Sequence, residues 1–96
     1  MAAYFVDLDG TVFLWGTETP LPGAIKQLSA WQTQGHELIF VTQRDRPWAE
    51  KALQALAGLG IRRPMILSDI SSPRTMINDQ GAFAVNHPIN APWRPL

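Results

Sequence analysis

Two aspartates separated by a single residue, Asp7 and Asp9, have the spacing in this chain that most directly indicates chemistry. Gly10 follows them and permits the backbone turn that brings both carboxylates to one side. Adjacent carboxylates repel each other, and a hard divalent cation such as Mg²⁺ relieves that repulsion. One carboxylate can then attack phosphorus as a nucleophile, while the other moves protons to and from the reacting oxygens. The pair predicts phosphoryl-transfer chemistry; the alternative is a plain turn at Asp9 and Gly10 that Asp7 caps.

Further polar side chains follow the other short apolar runs of the chain. Thr42 ends the second run, where a hydroxyl can hydrogen-bond a phosphoryl oxygen. Arg44, two residues on, is interpreted either as a ligand for an anionic substrate or as a solvated loop arginine. Asn78 and Asp79 follow a later run and offer oxygen ligands for a metal. Asp69 also follows a run, but we prefer to interpret it as the cap of a turn.

The elements that must position these residues show two different hydrophobic periods. Compact apolar runs predict strands at 3–6, 37–42, 65–67, 75–77 and 83–85. Apolar residues spaced three and four apart predict helices at 22–35 and 45–60, each with proline near its start and glycine near its end. The segment 87–96 contains three prolines, so it is predicted to be a tail that lies over the surface.

Strands that alternate with helices of this length predict right-handed βαβ units and a parallel sheet covered by helices. Ligands of such sheets bind at the carboxyl ends of the strands. Asp7, Thr42 and Asp79 each come at or after the end of a predicted strand, so we expect them to meet at one edge of the sheet. The chain is expected to form a single domain over residues 1–96.

Residues 5–12, FVDLDGTV, resemble the first motif of the haloacid dehalogenase (HAD) superfamily of phosphatases and phosphotransferases, an apolar strand followed by DxDGT. The resemblance implies an α/β fold of three-layer, Rossmann-like (HAD-like) type, with a small parallel sheet flanked by helices and no cap domain. It implies that Asp7 is the nucleophile and Asp9 the general acid/base. It also implies a Mg²⁺ cofactor, held by the side chain of Asp7 and the backbone carbonyl of Asp9.

Other segments resemble the later motifs of that family. Residues 38–42, LIFVT, resemble the second motif, which implies a catalytic role for Thr42. Residues 73–79 resemble the fourth motif with Asn78 where a carboxylate often stands, which implies that Asp79 and Asn78 complete the metal site. The cationic third motif is assigned to Arg74, with alternatives at Lys51, Arg62 and Arg63. The implied substrate-binding residues are Gly10, Thr11, Gln43 and Arg44.

Together these features predict a Mg²⁺-dependent phosphomonoester hydrolase that acts through an aspartyl-phosphate on Asp7. The short connection at 12–21 leaves no room for a cap, so we expect an open site. Such a site suits a small or macromolecular phosphorylated substrate, or needs closure by a second subunit, which makes a homodimer an option. One alternative is a catalytically silent protein of this fold that binds a phosphorylated ligand or a partner protein. The other is a phosphate-accepting receiver, which the position of Asp7 after the first strand disfavours.

The chain has four tryptophans among 96 residues, and two of them follow candidate motifs. Trp15 lies just past the DxDGT segment and Trp48 just past Arg44, so both are candidates to border the active site and stack on a flat substrate group. The preferred interpretation is that they cover core edges or an oligomer contact. Trp31 is expected to pack in the first helix and Trp93 to anchor the tail.

Composition excludes several other classes of function. Eight basic and eight acidic residues give a formal net charge of zero, which argues against a nucleic-acid surface or a membrane-binding patch. There are no cysteines, so disulfides, thiolate metal sites and thiol nucleophiles are excluded. The first residues lack the basic region of a signal peptide, and we therefore expect a cytoplasmic protein.

Overall fold

The computed structural model describes residues 1–94 as three strands and two helices: β1 (Ala3–Asp7), α1 (Ala24–Thr33), β2 (Glu37–Val41), α2 (Arg46–Gly58) and β3 (Met65–Leu67). These elements confirm the first three predicted strands and both predicted helices, with small shifts at their ends. Pro95 and Leu96, the last two residues of the predicted tail, lie outside the described residues. None of the helices in residues 1–94 is long and apolar enough to cross a membrane.

The starts of the two helices are determined by local chemistry. Asp45 is the N-cap of α2, and its side chain accepts a hydrogen bond from the backbone N–H of Trp48 at 3.0 Å. Pro47 lies in the first turn of α2, where its missing N–H costs nothing. Gly23 precedes α1 with a φ of 82°; a Cβ there would lie 2.9 Å from the backbone oxygen of Trp93. Glycine is therefore required at the junction between α1 and the tail.

The three strands form one parallel sheet in the order β1-β2-β3. Asp7 pairs with Val41, and Val41 pairs with Leu67. The carboxyl ends of all three strands are therefore level, and the residues that follow them leave the sheet at the same edge. This arrangement confirms the predicted α/β class of Rossmann-like type and places Asp7 at the edge where ligands of parallel sheets bind.

The core lies on one face of the sheet. Val6, Leu38 and Phe40 project from that face and belong to one buried cluster with residues of both helices, among them Leu28 and Leu56. Tyr4 extends the cluster at β1, because its ring stacks on Trp31 with centroids 3.8 Å apart. On the opposite face Phe5, Met65 and Leu67 are about half exposed, and no helix of residues 1–94 covers them.

The fourth and fifth strands, predicted at 75–77 and 83–85, are not formed, which corrects the sequence analysis. Residues 68–94 contain neither helix nor strand. The apolar side chains of these two runs are exposed: Met76, Ile77, Phe83 and Val85. A short apolar run forms a strand only where it finds a partner strand and a surface to bury against, and these two runs find neither among the described residues.

Hydrogen bonds of Trp93 and Asn90 hold the tail against the loop that follows β1. Trp93 donates its backbone N–H to Pro22 at 2.8 Å and its indole N–H to the carbonyl of Thr11 at 2.6 Å. Asn90 donates its backbone N–H to the carbonyl of Gly10 at 2.8 Å. The Trp93 ring also meets Trp31 edge to face, with centroids 5.9 Å apart. The tail thus supports the segment that follows β1, and Trp93 anchors it.

Candidate active site

The loop after β1 is fixed by buried side chains and by a single carbonyl. Leu8, Val12 and Phe13 are fully buried. The backbone N–H groups of Thr11, Val12 and Phe13 all donate to the carbonyl of Leu8, at 2.9–3.1 Å. Gly10 has a φ of 79°, a conformation that glycine adopts without strain. The loop is therefore a rigid turn, and it directs Asp7 and Asp9 toward different partners.

Asp7 lies at the outer side of the turn, where two side chains bind its carboxylate. Its Oδ2 accepts a hydrogen bond from the hydroxyl of Thr11 at 3.0 Å, and its Oδ1 accepts one from Nη1 of Arg74 at 2.8 Å. The Asp7 and Arg74 side chains are 36% and 30% exposed. Arg74 also donates to the carbonyl of Ile70 at 3.2 Å. The structure thus brings Arg74 to the candidate nucleophile, and the pair remains accessible to a ligand.

Asp9 lies on the inner side of the turn and is held by a different arginine. Arg44 donates from Nε to Oδ2 at 2.9 Å and from Nη2 to Oδ1 at 2.7 Å. The backbone N–H of Gly16 donates to Oδ1 at 3.1 Å. The Asp9 side chain is only 12% exposed. A bidentate bond of this kind fixes the plane of the carboxylate as well as its position.

Arg44 itself is completely buried, with a side-chain exposure of 0%. Its remaining bonds go to Glu18 Oε2 at 2.9 Å and to the carbonyl of Thr17 at 2.7 Å, and its guanidinium lies 4.4 Å from the ring centroid of Trp48. Burial opposes its charge, but the hydrogen bonds and charge attraction of Asp9, and then of Glu18, outweigh burial and raise the pKa of Arg44. This burial rules out a solvated loop arginine, and the role of Arg44 as a substrate ligand stays a prediction.

Asn78 and Asp79, two of the predicted metal ligands, form hydrogen bonds within their own segment. Asp79 accepts a hydrogen bond from the backbone N–H of Gln80 at 2.7 Å, and the amide of Asn78 donates to the carbonyl of Gln80. Within residues 1–94 no group of three or more His, Cys, Asp or Glu side chains could hold a metal ion. Both carboxylates of the DxD pair are instead bound by guanidinium groups. In this arrangement the residues present do not fit a Mg²⁺ ion, which prefers several carboxylate, carbonyl and water oxygens around it.

A pocket of about 350 Å³ opens at this edge of the sheet. Its walls combine the two acidic residues, both arginines, two indoles and two uncharged polar side chains: Asp7, Asp9, Trp15, Gln43, Arg44, Trp48, Ser72 and Arg74. The pocket thus contains three of the four predicted catalytic residues, Asp7, Asp9 and Arg74, within a mixed polar and aromatic lining. In small-molecule sites polar groups fix the orientation of the ligand, and here the two indoles supply the apolar surface beside them.

The other predicted site residues take different positions around the pocket. Thr42 is buried, and its hydroxyl accepts a hydrogen bond from the backbone N–H of Arg44 at 3.1 Å. Gly10 shapes the turn, and Thr11 binds Asp7. Gln43 does line the pocket. Asp69 has a φ of 57° and donates its backbone N–H to the carbonyl of Arg44 at 2.8 Å, which is consistent with the turn interpretation.

Sequence reasoning missed two residues that organise the site. Glu18 binds Arg44, and Asn90 binds the turn through its side-chain Oδ1, which accepts from the backbone N–H of Trp15 at 2.8 Å. Asn90 has a φ of 61°, a left-handed conformation that asparagine tolerates better than most residues. An asparagine among the prolines of the tail was thus a usable signal for a structured turn. Nothing in the local sequence distinguished Glu18.

Comparison with known proteins gave one significant finding. A family model described as haloacid dehalogenase-like hydrolase matches residues 4–72. The match includes Asp7, Asp9 and Thr42 and ends just before Arg74. Searches of curated proteins and of solved structures gave no significant match.

Proposed function

Because this chain belongs to the haloacid dehalogenase-like hydrolases, we propose that it is a phosphomonoester hydrolase with Asp7 as its nucleophile. The observation that carries the proposal is the pairing of Asp7 with Arg74 at 2.8 Å in the pocket at the carboxyl ends of the strands. A carboxylate beside an accessible guanidinium is suited to attack a phosphate, since the cation offsets the repulsion between two anions.

In the proposed reaction one carboxylate oxygen of Asp7 attacks phosphorus, and the bond from phosphorus to the leaving oxygen breaks. The product of this step is an aspartyl-phosphate and a free alcohol or phenol. Water then attacks the phosphorus of the intermediate, which releases inorganic phosphate and restores Asp7. Thr11 holds Oδ2 of Asp7, and Arg74 turns its donors toward the phosphoryl oxygens when the substrate displaces it from Asp7.

Asp9 is the proposed general acid/base of both steps. Its carboxylate is fixed by two bonds from Arg44. Proton transfer through Asp9 requires one of these bonds to break, because the proton and the guanidinium N–H compete for the same oxygen. Thr42 supports this geometry indirectly, through its bond to the backbone of Arg44.

The family generally uses Mg²⁺, but the residues present do not fit the ion, for the reasons given above. The proposed reaction therefore assigns no step to a metal. The predicted metal roles of Asp7, Asp9, Asn78 and Asp79 stay predictions, and activity measured with Mg²⁺ and with a chelator tests them directly.

The first experiment is hydrolysis of p-nitrophenyl phosphate by the wild type and by Asp7→Asn. We expect the substitution to lower kcat by about a thousandfold or more, since loss of a nucleophile removes the covalent route. Lys26→Gln, an exposed cation on α1, serves as the control and should keep wild-type activity. Full activity in Asp7→Asn would refute the assignment of the nucleophile.

A second candidate function is binding of a phosphorylated ligand without turnover. The observation that favours it is the double pairing of the acidic residues, because both carboxylates are already neutralised by arginines. Calorimetric titration with inorganic phosphate separates the two functions. Phosphate binding with no hydrolysis of any phosphomonoester would support this second candidate.

A further inference from the structure

Two tryptophans line the pocket and remain open to solvent. Trp15 is 58% exposed and Trp48 is 39% exposed. The other two tryptophans of the chain are used differently, since Trp31 and Trp93 pack against each other and against further rings. Within residues 1–94 neither pocket indole stacks on another aromatic ring. Exposing two large apolar rings at one site is unfavourable unless something binds there.

The backbone around both indoles is held in place. Trp15 follows the rigid turn, its backbone N–H donates to Asn90, and its ring lies so close to Gly10 that a Cβ there would be 3.0 Å from Cε3. Trp48 is fixed in the first turn of α2 by its bond to the Asp45 side chain. Arg44 lies against the Trp48 ring at 4.4 Å from its centroid. Two held rings form a binding surface that loses little conformational freedom when a ligand arrives.

From this arrangement we propose that the pocket selects phosphomonoesters whose phosphate is carried by a planar aromatic group, which packs against Trp15 and Trp48. The inference rests on the proposed function, because Asp7 and Arg74 define where the phosphate lies. The remaining lining residues are polar or charged, so among residues 1–94 the indoles are the only large apolar side chains that line this pocket. An aliphatic group covers an indole face less completely than a planar ring, because it cannot stack flat on it.

The test compares two phosphonates that differ in the shape of the group on phosphorus, phenylphosphonate and butylphosphonate. Neither can be hydrolysed at the P–C bond, so binding is measured by calorimetry on the full chain independently of turnover. Stacking on an aromatic side chain is worth about 1–3 kcal/mol per planar ring, and a tenfold change in affinity corresponds to about 1.4 kcal/mol. We therefore expect the wild type to bind phenylphosphonate at least about tenfold more tightly.

Trp15→Ala and Trp48→Ala should each reduce this preference by at least about threefold, while Trp48→Phe should keep most of it. Phe83→Ala removes an exposed aromatic ring outside the pocket and should change nothing. Circular dichroism establishes that each variant is folded.

A further pair of ligands, AMP and ribose 5-phosphate, is measured on Asp7→Asn. This pair distinguishes a substrate with the ring next to the phosphate from one with a base on a sugar, and tighter binding of AMP would assign a nucleotide as the substrate.

The outcomes separate this inference from the proposed function. Equal affinities for the two phosphonates, together with equal affinities for AMP and ribose 5-phosphate, would overturn the aromatic preference and leave the phosphatase proposal intact. Failure of the wild type to bind any of these ligands would refute the phosphate site and with it both proposals. A change of oligomeric state in the two tryptophan-to-alanine variants, measured by light scattering, would assign the indoles to a contact between copies and overturn the inference.

Discussion

The two carboxylate–arginine pairs of the site have the same chemistry but different surroundings. Asp9 and Arg44 form a bidentate pair whose side chains are 12% and 0% exposed, whereas Asp7 and Arg74 share one hydrogen bond and are about one-third exposed. Burial strengthens charge interactions and makes the loss of one partner costly. Arg44 of the inner pair therefore stabilises the fold and holds Asp9 in position, whereas in the outer pair Asp7 and Arg74 remain free to exchange each other for a substrate.

The largest effect is expected from removing the buried cation. Arg44→Ala leaves the carboxylates of Asp9 and Glu18 without their main partner and should lower the free energy of unfolding by about 3–5 kcal/mol. Urea denaturation of the variant measures this directly. Arg46→Ala, an exposed arginine on α2, is the matched control and should change stability by less than about 0.5 kcal/mol. Equal stability of the two variants would mean that the inner pair is not structural.

Because the pKa of Arg44 is raised, the stability difference between wild type and Arg44→Ala also has an expected dependence on pH. A basic group whose pKa is higher in the folded state contributes stability that is complete below its unfolded pKa and is lost only above it. Because an unperturbed arginine already titrates above about pH 12, the difference between wild type and Arg44→Ala should not shrink between about pH 7 and 10. A marked decrease over that interval would contradict a charged Arg44.

An intermediate effect is expected from the tail, which supports the turn that separates the two pairs. Trp93→Phe removes the indole N–H that binds the carbonyl of Thr11 and should cost about 1–2 kcal/mol of unfolding free energy. Trp48→Phe makes the same chemical change at a half-exposed ring, where we expect less than half of that cost. If both variants lost the same stability, the hydrogen bond from Trp93 to Thr11 would have no special role.

The smallest effect on stability is expected at the outer pair. Arg74→Gln should change the free energy of unfolding by no more than about 1 kcal/mol, because exposed ion pairs are screened by water and salt. The same variant should lower kcat/KM for aryl phosphate hydrolysis by about a hundredfold, since a charge that stabilises the transition state is lost. If Arg74→Gln unfolded easily but hydrolysed aryl phosphates as the wild type does, the roles assigned to the two pairs would be reversed.

Periodicity in the sequence was sufficient to predict the elements that build the core. β1, β2, α1 and α2 carry apolar residues at intervals that match their secondary structure, and burial of those residues follows. The runs at 75–77 and 83–85 have similar composition but no surface to bury against, and composition alone does not reveal that. Local sequence therefore predicted which segments can be strands, while the packing decided which of them are.

The site was predictable where it follows strand ends and unpredictable where it depends on pairing between loops. Asp7 was located by its motif, and Arg74 was selected among four cations, although their catalytic roles stay predictions. The contact between Arg44 and Asp9 joins two loops 35 positions apart, and no spacing rule distinguishes it from a solvated arginine. The positive charge of Arg44 offsets the repulsion between Asp7 and Asp9, and it was this repulsion that indicated a metal ion in the sequence analysis.

The bond between Trp93 and Thr11 spans 82 positions of the chain, and this has a consequence for biosynthesis. Chains emerge from the ribosome in order, and contacts between distant positions form late. The segment bearing Asp7 is made before the tail, yet its supporting bond waits until Trp93 has emerged. We expect a nascent chain that has not yet reached Asn90 and Trp93 to contain both acidic residues of the pocket and still hydrolyse slowly, so that full activity requires synthesis to extend past Trp93.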